Sequence, residues 1–417
     1  MSKPRNIVLL TTWFPPMNGV AVNRMEAIEM YWKKEGATFN VITLQAEDKM
    51  LAKEQNASGT NIIRLPNKPL IDIWPTIPGD PKWLHYSKVA WNIVVNKLVP
   101  NRQMDWAKRA LQELQQLNAQ SPIDVIISSA FPIEPHWVAK EFCQLHSEVF
   151  WVADSRDELS KNPHIDEKSR RQYLQVESWI NNYAQIATSV SHPIVDDFKT
   201  LLPQVPTVAE IRNGHNLDLP SIESYSFNPV FTIVYAGTFY GARKPTSFFQ
   251  GMLDFLEKNK SAKMLMRFIG TSHNFSYPQH PRIQIEFLPK CSNAEACKQQ
   301  EIADANLLLL PILEARGVYS GKLFDYLAAC KPIIAVVDPS DVAADLIREC
   351  NGGYIAHFDH IDEISEAIAK AYQHWEQKQN FESDRVKVAQ LHRRYQIEYL
   401  QSLVETQFSK FRSKNNS

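Results

Sequence analysis

The chain reads as an α/β protein of two doubly wound, Rossmann-like halves. Three observations predict this. Short apolar runs recur along the sequence, most of them separated by helix-length segments, as parallel strands joined by right-handed crossovers require. The pattern breaks at a polar stretch, "NLDLPSIESYSFN", and restarts at "PVFTIVYAGTFY". The length, 417 residues, exceeds what one ordinary core holds.

In the first half the expected strands are Ile7–Thr12, Phe39–Leu44, Asn61–Leu65, Asp124–Ser128, Val149–Ala153, Ile186–Val190 and Thr207–Ile211. Val20–Lys34 is the first helix, because Val22, Met25, Ile28 and Tyr31 or Trp32 recur at helical spacing and Gly36 closes it. After a hinge near Leu219–Phe227 come helix Thr246–Asn259, strands Met264–Gly270 and Ile283–Leu288, and helix Asn293–Ala305. Strand Asn306–Pro311, helix Gly321–Cys330, strand Pro332–Val337, an apolar run at 352–358 and helix Ile361–Lys378 complete that half. The tail, Gln390–Phe411, is helical and mixed in charge.

Composition narrows the class. With 44% hydrophobic and 22% charged residues the chain is an ordinary globular one. A net charge of −1 argues against wholesale nucleic-acid binding. The five cysteines are odd in number and form no CxxC pair, which suits a reducing, cytoplasmic compartment. No His/Cys spacing resembles a zinc site. The longest apolar runs, such as "ANLLLLPIL", are too short to span a bilayer. Within "KWLHYSKVAWNIVVNKLVP", Trp83, Tyr86, Trp91, Val94 and Leu98 alternate with Lys82, Lys88 and Lys97. That spacing is read first as a core stripe with solvated lysines. The alternative is a basic amphipathic helix giving peripheral membrane contact through 82–99.

Ligands of doubly wound sheets bind beyond the carboxyl ends of the strands, so the loops there carry the candidate site. Gly19, after the first strand, permits close approach of backbone to a ligand. Neither GxGxxG nor GxxxxGK[ST] occurs, which disfavours dinucleotide and P-loop chemistry. In "YAGTFYGARKP", Gly237 ends a strand and Arg243 and Lys244 follow. A fork and a point charge beside a glycine turn suit a diphosphate. In "GVYSGKLFDYLAACKPIIAVV", Ser320 is an expected N-cap, and Gly321 and Lys322 open a helix whose free N–H groups favour an anion. Asp325, one turn on, suits a ribose hydroxyl.

Taken in order, these segments resemble the GT-B glycosyltransferases, and in particular the retaining family 4 group. "LLTTWFPPMNGVAVNRM", "FWVADSRDELSKNP", "IRNGHNLD", "YAGTFYGARKP" and "GKLFDYLAACKPIIA" are each similar to a family segment, and they span most of the chain. The resemblance implies two Rossmann-like domains facing across a cleft. Residues 1–220 would form the acceptor domain, with helix 390–411 packing back on it through Leu391, Tyr395, Tyr399, Leu400 and Val404. Residues 228–385 would bind a nucleotide-sugar donor through Gly237, Thr238, Ser320, Gly321, Lys322 and Asp325, with Gly19 of the first domain also contacting it. It implies transfer with retention and without a metal or other cofactor, in surface polysaccharide assembly. Arg243, Lys244 and Lys322 would stabilise the departing diphosphate, and His136 would contact the sugar or acceptor. Asp154, Arg156 and Asp157 would face the acceptor or satisfy one another.

The chain departs from the family pattern at three places. Where the family often has paired glutamates, this sequence has Gly317 and Asp325, with Glu314 out of register. Cys330 replaces the usual glycine before Lys-Pro, and Thr238 stands where an arginine often follows the donor-loop glycine. Two other readings stay open: a non-catalytic sugar-nucleotide-binding protein of the same fold, and a sugar-nucleotide epimerase.

Overall fold

A computed structural model describes residues 5–34, 36–45, 50–68, 71, 73–74, 80–98, 103–239, 244–271, 275–310, 317 and 319–415. It divides into two compact units. One comprises residues 1–190, 194–211 and 397–417, and the other residues 191–193 and 212–396.

The first unit runs β1 (Asn6–Leu10), α1 (Val20–Tyr31), β2 (Thr38–Leu44), β3 (Lys53–Gln55), β4 (Asn61–Leu65), α2 (Lys82–Leu98), α3 (Met104–Gln120), β5 (Val125–Ala130), α4 (Glu134–Leu145), β6 (Phe150–Ser155), α5 (Glu167–Tyr183), β7 (Ile186–Ser189), α6 (His192–Leu201) and β8 (Thr207–Glu210). Its sheet has the order β3-β4-β2-β1-β5-β6-β7-β8. The pairings are parallel except for β3, an antiparallel edge strand on β4. Sequence reading missed β3 because "KEQ" has no apolar run. Successive residues point to opposite faces. Val8 and Leu10 join Trp106, Phe142 and Trp151 in one layer, while Ile7 and Leu9 join Met25, Ile28 and Phe150 in the other.

The second unit runs β9 (Phe231–Ala236), α7 (Thr246–Lys258), β10 (Met264–Ile269), β11 (Ile283–Leu288), α8 (Asn293–Ile302), β12 (Ala305–Leu309), α9 (Gly321–Ala328), β13 (Ile333–Val336), α10 (Val342–Glu349), β14 (Gly353–Ala356), α11 (Ile361–Glu376) and α12 (Arg385–Gln390). The strand order is β11-β10-β9-β12-β13-β14, all parallel. Alternation again splits one strand between two cores. Leu307 and Leu309 pack toward α7 and α11, and Leu308 and Leu310 toward α9 and α10. The polar stretch 219–227 holds a short 3-10 turn at Ile222–Ser224.

α13 (Arg393–Asn415) ends the chain. From Ile397 onward it belongs to the first unit. The face it buries there is Ile397, Leu400, Val404 and Phe408. This corrects the expected face. Tyr395 and Tyr399 are about half exposed, and Leu391 packs in the second unit beside Val388. The steps of three and four from Ile397 follow the helical period, and Tyr395 and Tyr399 fall off that stripe. Gln401 fixes the register by accepting from the Lys33 amide at 2.9 Å and donating to its carbonyl at 3.1 Å.

In the second unit α7 and α11 lie close because Gly251 has no side chain. A Cβ there would lie 2.4 Å from Ile364 Cγ2 and 2.8 Å from its Cβ. Gly251→Ala is therefore expected to cost about 1–3 kcal/mol through overpacking, despite alanine's better helix propensity. Denaturant titration against the wild type checks this.

Candidate functional site

In the second unit the strand order reverses between β9 and β12. The chain leaves β9 toward β10 and leaves β12 toward β13, so the loops after these strands diverge and leave a crevice at their carboxyl ends. Gly237 sits directly after β9 with φ +116°, a conformation open to glycine. Its amide donates to the Ile269 carbonyl at 2.8 Å, and its carbonyl accepts from the Thr271 hydroxyl at 2.6 Å. Lys322, the second residue of α9, reaches the same place. A Cβ on Gly237 would lie 2.8 Å from both Cε and Nζ of Lys322. The missing side chain is what admits the ammonium. Lys322 Nζ donates to Tyr235 Oη at 2.8 Å and stands 4.0 Å from the centre of that ring. Tyr235 is itself buried and stacked on Phe239 at 4.5 Å.

The start of α9 follows the sequence reading with one correction. Ser320 takes the N-cap position in extended conformation, but its hydroxyl makes no capping bond. The positive end of the helix and its first-turn N–H groups are thus not claimed by that side chain. The helix ends at Ala328, and Cys330, expected inside it, lies in the left-handed region at φ +53°. A glycine is the ordinary residue for such a position. Gly317 has φ +91°, and its amide donates to Asp341 Oδ1 at 3.1 Å.

Asp325 lies one turn beyond Lys322, mostly buried. Burial pushes its carboxyl up to about 6, against the opposing pull of the Arg393 guanidinium. Thr238 and Lys244 are exposed at either end of the β9–α7 connection. Arg243 and Glu314 lie outside the described residues.

In the first unit the corresponding reversal falls between β1 and β5. Gly19 is the N-cap of α1, with φ +146° and nothing within 4 Å of where its Cβ would stand. Trp13, in the same loop, donates from Nε1 to the Phe131 carbonyl at 2.9 Å. Arg156 Nε donates to the Ala130 carbonyl at 3.1 Å. Burial lowers the Arg156 pKa, with Asp157 and Asp154 opposing that shift. Asp157 is half-buried beside it.

Two expectations change here. His136 opens α4 as expected but is fully buried. Its Nδ1 is 2.7 Å from Ser128 Oγ, and its Nε2 is 3.2 Å from Ser155 Oγ. Ser128 Oγ also accepts from Trp151 Nε1 at 2.7 Å, so the histidine, the tryptophan and the two serines form one buried polar cluster. Desolvation lowers its pKa to about 4, so it is neutral near pH 7. In this arrangement it offers no surface to a ligand and holds β5 to β6.

Asp154 was expected in the loop after the strand, yet β6 runs on to Ser155 and Asp154 is fully buried within it. Arg24 of α1 meets it with Nη2 at 2.6 Å from Oδ1 and Nε at 3.0 Å from Oδ2. Thr188 Oγ1 donates to Oδ1 at 2.7 Å, Ser129 Oγ donates to Oδ2 at 3.2 Å, and Arg24 Nη1 reaches the Ile211 carbonyl at 2.7 Å. Burial works against the charged carboxylate, but the Arg24 guanidinium and these donors hold its pKa below the ordinary value. One pair therefore ties α1, β5, β6, β7 and the end of β8 together. Arg24 was legible only as a polar residue in an amphipathic helix.

Among the described residues, no group of three or more His, Cys, Asp or Glu is placed to hold a metal.

Two outcomes are expected. Asp154→Ala strands the buried guanidinium and should cost about 3–5 kcal/mol by denaturant unfolding. Asp325 has a folded pKa near 6 against an ordinary 3.8, so the folded chain holds its proton longer. The stability this confers is complete below about pH 4 and is lost as pH rises to about 6. Asp325→Asn should thus raise the melting temperature at pH 7, by an equivalent of about 2–3 kcal/mol, and flatten that part of the pH profile.

Neither a family model nor a curated protein matches the sequence. Solved structures do match by shape. Sucrose-phosphate synthase from Thermosynechococcus elongatus is similar at a TM-score of 0.60 and 12% identity, over 97% of this chain and 100% of that one. An α,α-trehalose-phosphate synthase (UDP-forming) from Burkholderia vietnamiensis gives 0.57 and 11%, over 98% and 100%. Anabaena HepE, solved in complex with UDP-glucose, gives 0.53 and 11%, over 99% of each chain. These neighbours are GT-B glycosyltransferases, and the two parallel-sheet units of this chain have the GT-B fold.

Proposed function

We propose that the protein is a retaining glycosyltransferase. It would move a sugar from a nucleotide-diphosphate-sugar donor to a saccharide or lipid-linked acceptor in surface polysaccharide biosynthesis. The observation that supports this best is Lys322 seated against Gly237 at the strand-order reversal of the second unit. An ammonium, a glycine turn and the positive end of α9 converge there, and that combination suits a diphosphate. The neighbours of like fold include one solved with UDP-glucose and another with a UDP-forming reaction.

In the proposed reaction the bond from the sugar's anomeric carbon to the diphosphate oxygen breaks. A bond from that carbon to an acceptor hydroxyl oxygen forms on the same face. The acceptor's proton passes to the departing diphosphate. Lys322, Lys244, Arg243 and the first-turn amides of α9 would stabilise the charge that develops on the leaving group, without a metal. Asp325 would accept from a ribose hydroxyl. Its burial, costly for stability when ionised, is then retained for binding.

Donor-dependent transfer, or slow donor hydrolysis, tests this reading, after calorimetry against UDP-, GDP-, ADP- and dTDP-sugars has identified the donor. Lys322→Ala should lower kcat by about 10²–10³. Unchanged turnover and donor affinity would remove Lys322 from the phosphate site. Asp325→Asn should weaken donor binding while raising stability. A loss of both instead would mark the carboxylate as structural.

A further inference from the structure

Most of the apolar residues of α2 face water. Its inner side holds Val95, which is buried, with Lys88 and Asn92, which tie the helix to Asp80 and Trp74 in the segment before it. Lys88 is buried, donating to Asp80 Oδ2 at 2.8 Å and lying 5.6 Å from the Trp74 ring. Asn92 accepts from the Trp74 amide at 2.8 Å and donates to its carbonyl at 3.0 Å. On the outer side Trp83 is 70% and Tyr86 68% exposed, and Val89, Trp91, Ile93 and Val94 are exposed beside them. A helix whose apolar residues are exposed in this number marks a surface meant to be covered. This overturns the core-stripe reading for Trp83, Tyr86, Trp91 and Val94; the side chain of Leu98 lies outside the described residues.

We infer that this face docks onto an anionic lipid bilayer. Two observations select that occupant. First, α2 contains no acidic residue. Residues 66–103 carry Lys68, Lys82, Lys88, Lys97 and Arg102 against Asp72 and Asp80, a local excess of three positive charges in a chain whose net charge is −1. Anionic headgroups complement that excess. Second, the exposed side chains include tryptophan and tyrosine, whose apolar bodies and polar tips suit the headgroup boundary. No helix among the described residues is long and apolar enough to cross a membrane, so α2 lies in the interface plane. Such docking would bring the enzyme to a lipid-linked acceptor, but vesicle binding requires neither donor nor acceptor. It therefore stands or falls apart from the transferase reading.

The test is co-sedimentation of the full chain with vesicles of phosphatidylcholine alone and of phosphatidylcholine mixed with phosphatidylglycerol. The wild type should partition at least about tenfold more strongly to the mixed vesicles, and added salt should weaken this. The Trp83→Glu/Tyr86→Glu variant should stay in the supernatant with its melting temperature unchanged, because both side chains are exposed. Wild type left in the supernatant, equal binding to both vesicle types, or a variant that binds like the wild type would each overturn the proposal. So would concentration-dependent self-association that the variant abolishes without any lipid binding, since that would assign the face to a second copy.

Discussion

A parallel strand cannot turn back directly on its neighbour, so each must return the chain over a face of the sheet before the next can pair. In both units this places the exits of all the parallel strands at one edge, the antiparallel β3 running the other way. Where the strand order reverses, successive exits diverge. The Gly237 and Lys322 pair lies at one such divergence, and the loop of Trp13 and Gly19 at the other. The candidate site is thus a consequence of strand order before it is a consequence of any particular side chain.

The two reversals are furnished differently. In the second unit a flexible cation enters the space that a missing Cβ leaves, and its phenol partner comes from the strand below. In the first, the charge is already spent on architecture. Arg24 and Asp154 neutralise each other inside the sheet, with hydroxyl donors filling the remaining lone pairs. A pair so fully desolvated is tolerated only when its hydrogen bonds are complete. His136 shows the same economy, with a hydroxyl on each ring nitrogen. The residues left at the edge of the first unit are Trp13, Arg156 and Asp157, and these have surface to meet a ligand.

Sequence reading placed Gly237 at a strand end and Ser320, Gly321 and Lys322 at a helix start because such positions are marked locally. Gly237 closes an apolar run, and Ser320, Gly321 and Lys322 open a helix, so short-range pattern suffices. It misjudged residues whose role depends on distant partners. Asp154 and Arg24 are 130 positions apart, and nothing in either neighbourhood announces the other. The tail was misread through its face: Tyr395 and Tyr399 are apolar enough to suggest docking, but the helical phase set by Ile397, Leu400 and Val404 excludes them. For α2, periodicity identified an apolar stripe without revealing which side of it the protein occupies.

The sequence by itself therefore determined the architecture: alternating apolar strands and helices, a restart near residue 228, and glycine-bearing turns at the strand ends. Those features follow from periodicity and turn chemistry, which act over a few residues. Only the tertiary structure decided burial. It took Asp154 and His136 into the interior and turned the aromatic face of α2 outward. Whether a side chain meets water, and so what its charge or apolar surface costs, depends on segments far away in the chain.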